Sequence, residues 1–526
     1  MGCNSSQPDV QGNGEIPNST KTADRRVVTD NGSIENGIDV VEVPPDWEWI
    51  PEFQGKAVIK PVKREKYLDT KFPPEPGSLF FSRDLNGVEW KRPNELVNDP
   101  ELEIGGSSRS DVLQGKLGDC WFLSSCAAVA GMQKILDQVI PPNQSLFGED
   151  HKGIVFCRFW RYGDWQPVYV DDTLPTLNSK LVFGHCSDQR EFWLPILEKA
   201  YAKVHGSYES LEGGKSLDAL VDLTGGIAEF YDLHDLASAS EETQKAVFDR
   251  LVKAMNQQNA FVTSGREGVD VDVEDGLVNG HAYTVTGAAY IPDGQSGQVR
   301  LIRVRNPWGN ATEWTGAWSD SDERWDQVDP EVKAKIGQTQ KADGEFWMSF
   351  QDFCSEFRNA TVCTLGPDFD EDGTTDPTND MVLLHGEWVP GKTAGGCQND
   401  FNSYAKNPQY LMKVTETDSG GEICAVLIGL MQKYRRERRK EGITELDIGF
   451  TVYKVEDSGR LKGEDLATMS PFMSSGAYTN LREVVANAAF PPGDYIIIPC
   501  TYDADQEAQF MIRAYSEKPI TITELQ

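Results

Sequence analysis

A cysteine, a histidine and an asparagine set the chemistry open to this chain. Residues 114 to 122 read Gln-Gly-Lys-Leu-Gly-Asp-Cys-Trp-Phe, and a run of small and apolar residues continues to Ala130. A thiol that follows a Gly-Asp turn and heads such a run sits at a helix N-terminus. Unpaired amides there stabilise a thiolate and are expected to lower the Cys120 pKa below its usual ~8.5. Gln114, six residues upstream, can present a side-chain N–H beside the backbone N–H of Cys120, and two such donors hold an oxyanion. A lone cysteine fits a buried core position equally well. Its partners decide between the two.

Those partners need a hairpin to bring them together. Gly280-His281-Ala282-Tyr283-Thr284-Val285-Thr286 opens one β-rich run and Val299 to Asn306 closes another, with the turn-forming Pro292 to Gly297 between them. Paired positions in a hairpin sum to a constant, and pairing His281 with Asn306 centres the turn between Asp293 and Gly294. The first residue of one strand then faces the last of the next. An amide acceptor beside an imidazole fixes the tautomer needed for base catalysis. A bulge would move this register by a residue or two.

The segments Gln114-Gly-Lys-Leu-Gly-Asp-Cys-Trp, Gly280-His-Ala-Tyr and Asn306-Pro-Trp-Gly resemble the catalytic motifs of the calpains, papain-like cysteine proteases controlled by calcium. The similarity extends to Phe72-Pro-Pro through Trp90-Lys-Arg-Pro, Tyr162-Gly-Asp-Trp through Asp171-Asp-Thr-Leu-Pro, Glu191-Phe-Trp through Glu198-Lys-Ala-Tyr-Ala-Lys, and Thr224-Gly-Gly-Ile-Ala-Glu. Gly391 to Cys397, Leu430-Met-Gln-Lys and Pro491 to Tyr495 resemble the β-sandwich that follows the calpain protease core. The resemblance runs from about Asp46 to the last residue. It implies an α+β fold, a two-lobed papain-like core followed by an antiparallel β-sandwich. It also implies a Cys120–His281–Asn306 triad with Gln114 at the oxyanion, and Trp308 shielding the Asn306–His281 hydrogen bond.

Composition agrees with a large globular protein. The chain has 526 residues, room for two to four domains, and no apolar run long enough for a membrane span. With 83 acidic and 50 basic residues its formal charge is −33, which argues against a nucleic-acid surface. Ten cysteines are scattered without a close-spaced framework or a secretory signal, as in a reducing cytosol. Zinc-type Cys-x-x-Cys or His-x₃-His pairs are absent.

The expected organisation has five parts. Residues 1–45 are polar and aperiodic, hence disordered. Residues 46–225 form the first lobe, with Cys120, and 226–365 the second, with His281 and Asn306; Gly225-Gly226 is a hinge between them. An acidic connector, 366–380, leads to a sandwich over 381–526. No string of EF-hand loops follows, so a small regulatory subunit is not expected.

Two acidic loops fall short of an EF-hand. Asp368-Phe-Asp370-Glu-Asp372-Gly373 matches the first six positions, but Asn379 stands at the twelfth, and Pro367 and Pro377 oppose flanking helices; a solvated linker is expected. Asp270-Val-Asp272-Val-Glu274-Asp275-Gly276 puts glycine seventh and His281 twelfth, which leaves an exposed loop able to gate the cleft. The calcium expectation comes from the resemblance. It implies one ion per lobe: Asp111 and Glu191 with the carbonyls of Ile104 and Gly106 in the first, and Glu313, Asp320, Asp343 and Glu345 with the Lys341 carbonyl in the second. Charged oxygen ligands suit calcium rather than zinc.

Met1-Gly2-Cys3-Asn4-Ser5-Ser6 fits the myristoylation pattern, with Gly2 as acceptor and Cys3 placed for palmitoylation. Two chains anchor stably where one is marginal. The polar segment would span roughly 35 Å as a coil tether. Taken together, these features describe a calcium-regulated cysteine endopeptidase at the cytoplasmic face of a membrane, acting on protein substrates. Two rivals share parts of the pattern. A catalytically silent scaffold is opposed by the intact Cys, His and Asn. A transglutaminase-like acyl transferase is opposed by asparagine at position 306.

Overall fold

The computed structural model describes residues 66–256, 260–268, 273–292, 297–369, 375, 376, 378, 380–415, 423–433 and 435–526, and the paired strands Trp47–Glu52 and Lys56–Pro61. Gly2, Cys3 and the rest of segment 1–45 lie outside the described residues. So do Asp270, Asp272, the hairpin tip 293–296, and Asp370, Asp372, Gly373, Pro377 and Asn379 of the connector.

Helix α1 (Cys120–Ala130) is apolar or small on every face, so it can only be an interior helix. It is buried from Trp121 to Ala127 and packs in the same core as α2 (Trp193–His205) and α3 (Ser216–Thr224). The hairpin of β1 (Ile154–Arg161) and β2 (Asp164–Asp171) closes that core. Alternating and aromatic-rich runs further on build a six-stranded antiparallel sheet. It comprises β3 (Ile227–Asp232), β4 (Ala260–Gly265), β5 (Ala282–Pro292), β6 (Gln298–Arg305), β7 (Glu345–Ser349) and β8 (Asn359–Thr364), in the order β7-β6-β5-β4-β8-β3. Helix α4 (Glu241–Asn256) turns Phe248, Leu251 and Ala254 onto this sheet.

The β5–β6 ladder corrects the expected register. It pairs Thr284 with Arg305 and Val285 with Val304, then slips by one residue at a bulge between Val285 and Gly287. Extended past its end, that register sets His281 opposite Trp308 rather than Asn306. The ladder closes at Pro292–Gln298, so the connection lies later in the chain than Asp293–Gly294 implies.

The C-terminal part is a sandwich of two antiparallel sheets. Strands β9 (Asp380–Trp388), β10 (Gln409–Val414), β11 (Cys424–Gln432), β12 (Ile448–Val455) and β13 (Met473–Ser474) are followed by β14 (Glu483–Phe490), β15 (Gly493–Thr501), β16 (Ala508–Ser516) and β17 (Ile520–Leu525). One sheet runs β9-β16-β11-β14 and the other β13-β12-β15-β10-β17. Their inner faces share one apolar core that includes Trp388, Tyr410, Ile428, Phe450, Ile497 and Phe510.

The sandwich is joined to the two N-terminal lobes by arginines. Arg436 lies over Trp121 at 4.4 Å and donates to the carbonyls of Ser210 and Gly213, each at 2.8 Å. Arg482 pairs with Asp222 on α3 at 2.8 Å. Arg513 donates to the carbonyls of Gly225 and Gly226, at 3.4 and 2.9 Å, while its other face holds Glu483. The expected hinge is therefore gripped. Gly225 ends α3 in the left-handed region at φ 68°, and a Cβ on Gly226 would come within 2.3 Å of the Thr364 carbonyl.

The connector also departs from expectation. Asp368 is 1% exposed and its carboxylate pairs with Arg250 at 2.8 Å. A first-position EF-hand ligand is thus committed to an ion pair rather than solvated.

Candidate active site

Cys120 is the first residue of α1, and the Asp119 carbonyl accepts the N–H groups of Phe122 and Leu123 at 2.9 and 3.1 Å. The loop before it is fixed from three sides. Leu113 exchanges both backbone hydrogen bonds with His185, each 3.0 Å, and Lys116 donates to Val182 at 3.0 Å. The Gly118 carbonyl accepts from Gly213 at 2.8 Å, and the Trp121 indole donates to Leu211 at 2.7 Å. Gly115 must be glycine, since a Cβ would lie 2.2 Å from the Phe183 carbonyl. One N–H of the Gln114 side-chain amide goes to the Leu117 carbonyl at 2.8 Å, and the amide has a second N–H to offer.

His281 follows Gly280, whose φ of 64° turns the chain into β5. Its Nε2 stands 2.9 Å from Oδ1 of Asn306, just past the end of β6. The same oxygen accepts the Trp308 N–H at 3.0 Å, and Asn306 Nδ2 donates to Thr312 at 3.4 Å. These bonds fix which end of the amide is oxygen. Nε2 of His281 must therefore carry the proton, and Nδ1 keeps a lone pair. The Trp308 ring packs on the imidazole at 5.2 Å and 49°, and Tyr283 meets it edge-on at 5.0 Å. Asn306 reaches His281 without being its strand partner: in the extended register it stands two residues from that partner and so shares its face, and a turn closed by the Gly309 N–H to Asn306 carbonyl bond of 3.0 Å follows it.

The lobes meet at several points around this site. Thr284 Oγ1 donates to the Ser124 carbonyl at 2.8 Å, the Gln114 N–H to Pro307 at 3.0 Å, and Arg305 to Val112 at 3.2 Å. The backbone N–H of Ala282, next to His281, faces the Cys120 sulfur. Among the described residues no hydrogen bond joins Cys120 to His281.

Burial overturns the expected thiol acidity. Desolvation pushes the Cys120 thiol up to about 11, against the lowering effect of the Ala282, Trp121 and Cys120 amides, and Asp119 adds to the rise. Desolvation likewise holds His281 down at about 4, with the Asn306 hydrogen bond opposing it. Both groups rest neutral near pH 7 in this arrangement. The amides at the helix terminus still favour the thiolate, but the loss of hydration around the sulfur outweighs them, although Cys120 keeps some exposure.

The carboxylates implied for calcium fall on two loop systems. In the first, Glu191 accepts the Ile104 N–H at 2.9 Å, and Asp111 accepts Ser108 N–H at 2.6 Å and Ser187 Oγ–H at 3.2 Å. Gly106 takes a φ of 95° in the loop that offers the carbonyls. Burial first, then the Asp111 charge, raise Glu191 to about 7. In the second, Glu313 accepts Gly344 N–H at 2.7 Å, Asp320 accepts Lys341 N–H at 3.2 Å and Asp343 accepts Glu345 N–H at 3.1 Å. Desolvation raises Asp320 to about 7, helped by the charges of Glu313, Asp343 and Glu345. Acidic oxygens that repel one another on glycine-rich loops fit a hard divalent cation. Among the described residues no three His, Cys, Asp or Glu side chains converge on one point. Glu345 is engaged across the lobes instead, by Arg109 Nε at 2.7 Å. No feature of the sequence singled out Arg109; only its place two residues before Asp111 hinted at a role.

Comparison with known proteins places both halves of this chain. Residues 67–364 match the model of the calpain family cysteine protease, and residues 384–515 match that of calpain large subunit, domain III. Calpain clp-1 of Caenorhabditis elegans is 40% identical over 473 residues, covering 87% of this chain and 60% of that protein. Calpain-A of Drosophila melanogaster is 41% identical over 467 residues, covering 86% and 55%, and Calpain-9 of Rattus norvegicus 41% over 465 residues, covering 87% and 66%. The chain thus spans between 55% and 66% of the length of these relatives.

Proposed function

Because the chain belongs to the calpain family of cysteine proteases, we propose that it is a calcium-regulated endopeptidase that performs limited proteolysis of protein substrates. The observation that carries this is the His281 Nε2–Asn306 Oδ1 bond of 2.9 Å, which leaves Nδ1 with a lone pair to act as base, while the N–H of the next residue, Ala282, faces Cys120. His281 Nδ1 takes the thiol proton as Cys120 attacks the scissile carbonyl. The Cys120 N–H and the free N–H of Gln114 receive the oxyanion. His281 returns the proton to the departing amine, and water then hydrolyses the thioester. Trp308, packed on the imidazole, excludes water from its bond to Asn306.

Calcium would be held by Asp111, Glu191 and the Ile104 and Gly106 carbonyls in one lobe, and by Glu313, Asp320, Asp343, Glu345 and the Lys341 carbonyl in the other. It would supply charge neutralisation there. Since Arg109 and Glu345 already bridge the lobes, ordering either loop biases how Cys120 meets His281. The expected result is a higher melting temperature in calcium than in chelator, together with calcium-dependent cleavage of a fluorogenic peptide. Equal melting temperatures and full cleavage in excess chelator would contradict the calcium switch.

For location, the sequence alone supports lipid anchoring through Gly2 and Cys3 at the cytoplasmic face of a membrane. Among the described residues no helix is long and apolar enough to cross one. Gly2→Ala is expected to move the protein from the membrane to the soluble fraction. An unmodified N-terminus by mass spectrometry in the wild type would remove the proposal.

A further inference from the structure

Next to the nucleophile lies a pair of acids that the reaction described above does not use. Asp119 is 0% exposed and Glu198, on α2, is 1% exposed. Neither carboxyl oxygen of Asp119 receives an N–H or O–H donor among the described residues. The group within hydrogen-bonding reach of it is the Glu198 carboxyl. Glu198 in turn accepts the Gly184 N–H with both oxygens, at 3.0 and 3.1 Å. Two ionised carboxylates are both acceptors, so only a proton can join them.

The surroundings leave no other means of relieving two charges. The titratable groups facing the pair are Cys120 and Cys126 of α1, Tyr208, and Glu212 of the loop below, none of them cationic. Burial raises both carboxyls above the usual range; Asp119 raises Glu198 further, while the hydrogen bond from Glu198 pulls Asp119 back down, as expected when Glu198 holds the proton and donates it to Asp119. This is the arrangement of a single proton held between two acids.

Its position gives it a consequence. Asp119 immediately precedes Cys120 and caps α1 with its carbonyl. Glu198 holds Gly184, which lies within the segment 182–185 that pairs with Leu113 and Lys116 on either side of Gln114. The two oxyanion donors therefore sit on the two strands of chain that this pair ties together. We propose that Asp119 and Glu198 share one proton and act as positioning residues for the oxyanion site, joining the Cys120 amide to the Gln114 loop. The proposal rests on the protease reading for its catalytic consequence, and on the structure alone for the shared proton. Loss of that proton puts two charges side by side and loosens the site.

The sign follows from linkage. Carboxyls raised in the folded chain contribute stability that is complete below their unfolded range and is lost as pH rises through their folded values. The test compares Glu198→Gln and Asp119→Asn with wild type, each in calcium and across pH 6 to 9. An amide at either position can donate to the remaining carboxylate and keep the tie without a shared proton. The melting temperature of wild type is expected to fall on the alkaline side, and that limb should move up by at least about one pH unit in both variants. The kcat limb should move with it while KM moves less. Glu198→Ala, which cuts the tie, should lower kcat at every pH. Limbs that coincide in wild type and both amide variants would overturn the shared proton. A shifted melting limb with no hydrolysis by any form would uphold the shared proton and overturn the protease reading instead. A shifted melting limb with unchanged kcat would overturn the positioning role.

Discussion

Cys120→Ala is expected to abolish peptide hydrolysis while leaving the melting temperature close to that of wild type. Cys120 supplies the attacking sulfur, and no other described group stands both at the head of α1 and next to Ala282, beside the base. Nucleophile and base work as one unit, so either loss costs on the order of 10⁶ in kcat; His281→Ala should match it. Stability should change little. Cys120 is only partly buried, the helix is capped by the backbone carbonyl of Asp119 rather than by the thiol, and alanine is a good helix former. Hydrolysis at the wild-type rate by cleanly folded Cys120→Ala protein would refute the mechanism.

The largest loss of stability is expected from Arg513→Ala. This guanidinium is fully buried, with Nε and Nη2 each 2.5 Å from Glu483, and it lies 5.0 Å over the Trp160 ring. It also donates to both carbonyls of Gly225-Gly226. Truncation leaves the buried Glu483 unpaired and two carbonyls without a donor, a cost of about 3–5 kcal/mol. Arg513→Lys should recover little of it, because one ammonium cannot meet the carboxylate fork and the glycine carbonyls together. Denaturant unfolding of the full chain reads the effect. A variant as stable as wild type would mean that the sandwich does not hold the junction between the lobes.

Much of the site was legible because its chemistry is written in short segments. The Gln114–Trp121 run, Gly280-His281 and Asn306-Pro-Trp-Gly named the candidate groups, of which the structure joins His281 to Asn306 and sets Cys120 at the head of α1, and the turn residues between two β-rich runs marked an antiparallel hairpin. What the sequence missed depends on packing and on distant partners. The hairpin register moved because the turn lies later than residue counting places it, and the bulge at Val285–Gly287 takes back one residue of that offset. Asn306 meets His281 anyway, since a shift of two residues keeps it on the same face as a diagonal neighbour. The thiol was expected to be acidic from its place on α1, but that argument left out desolvation. Asp368 looked like a solvated ligand until Arg250, more than a hundred residues earlier, claimed it. Gly225-Gly226 carried the signature of a hinge, and only the folded chain brings Arg513 onto its carbonyls. Arg109 and the Asp119–Glu198 pair were missed for the same reason. Their roles exist only where two segments remote in sequence meet.

The central claim is that Cys120 is the nucleophile of a calcium-controlled protease, and labelling by an irreversible peptidyl epoxide tests it most directly. Among the described cysteines Cys120 is partly exposed and the other eight are buried. Full-length protein would be treated with the reagent in calcium or in chelator, digested and mapped by mass spectrometry. The expected result is a single adduct on Cys120, formed in calcium and largely absent in chelator. An adduct on another cysteine with Cys120 unmodified, or labelling indifferent to calcium, would contradict the account.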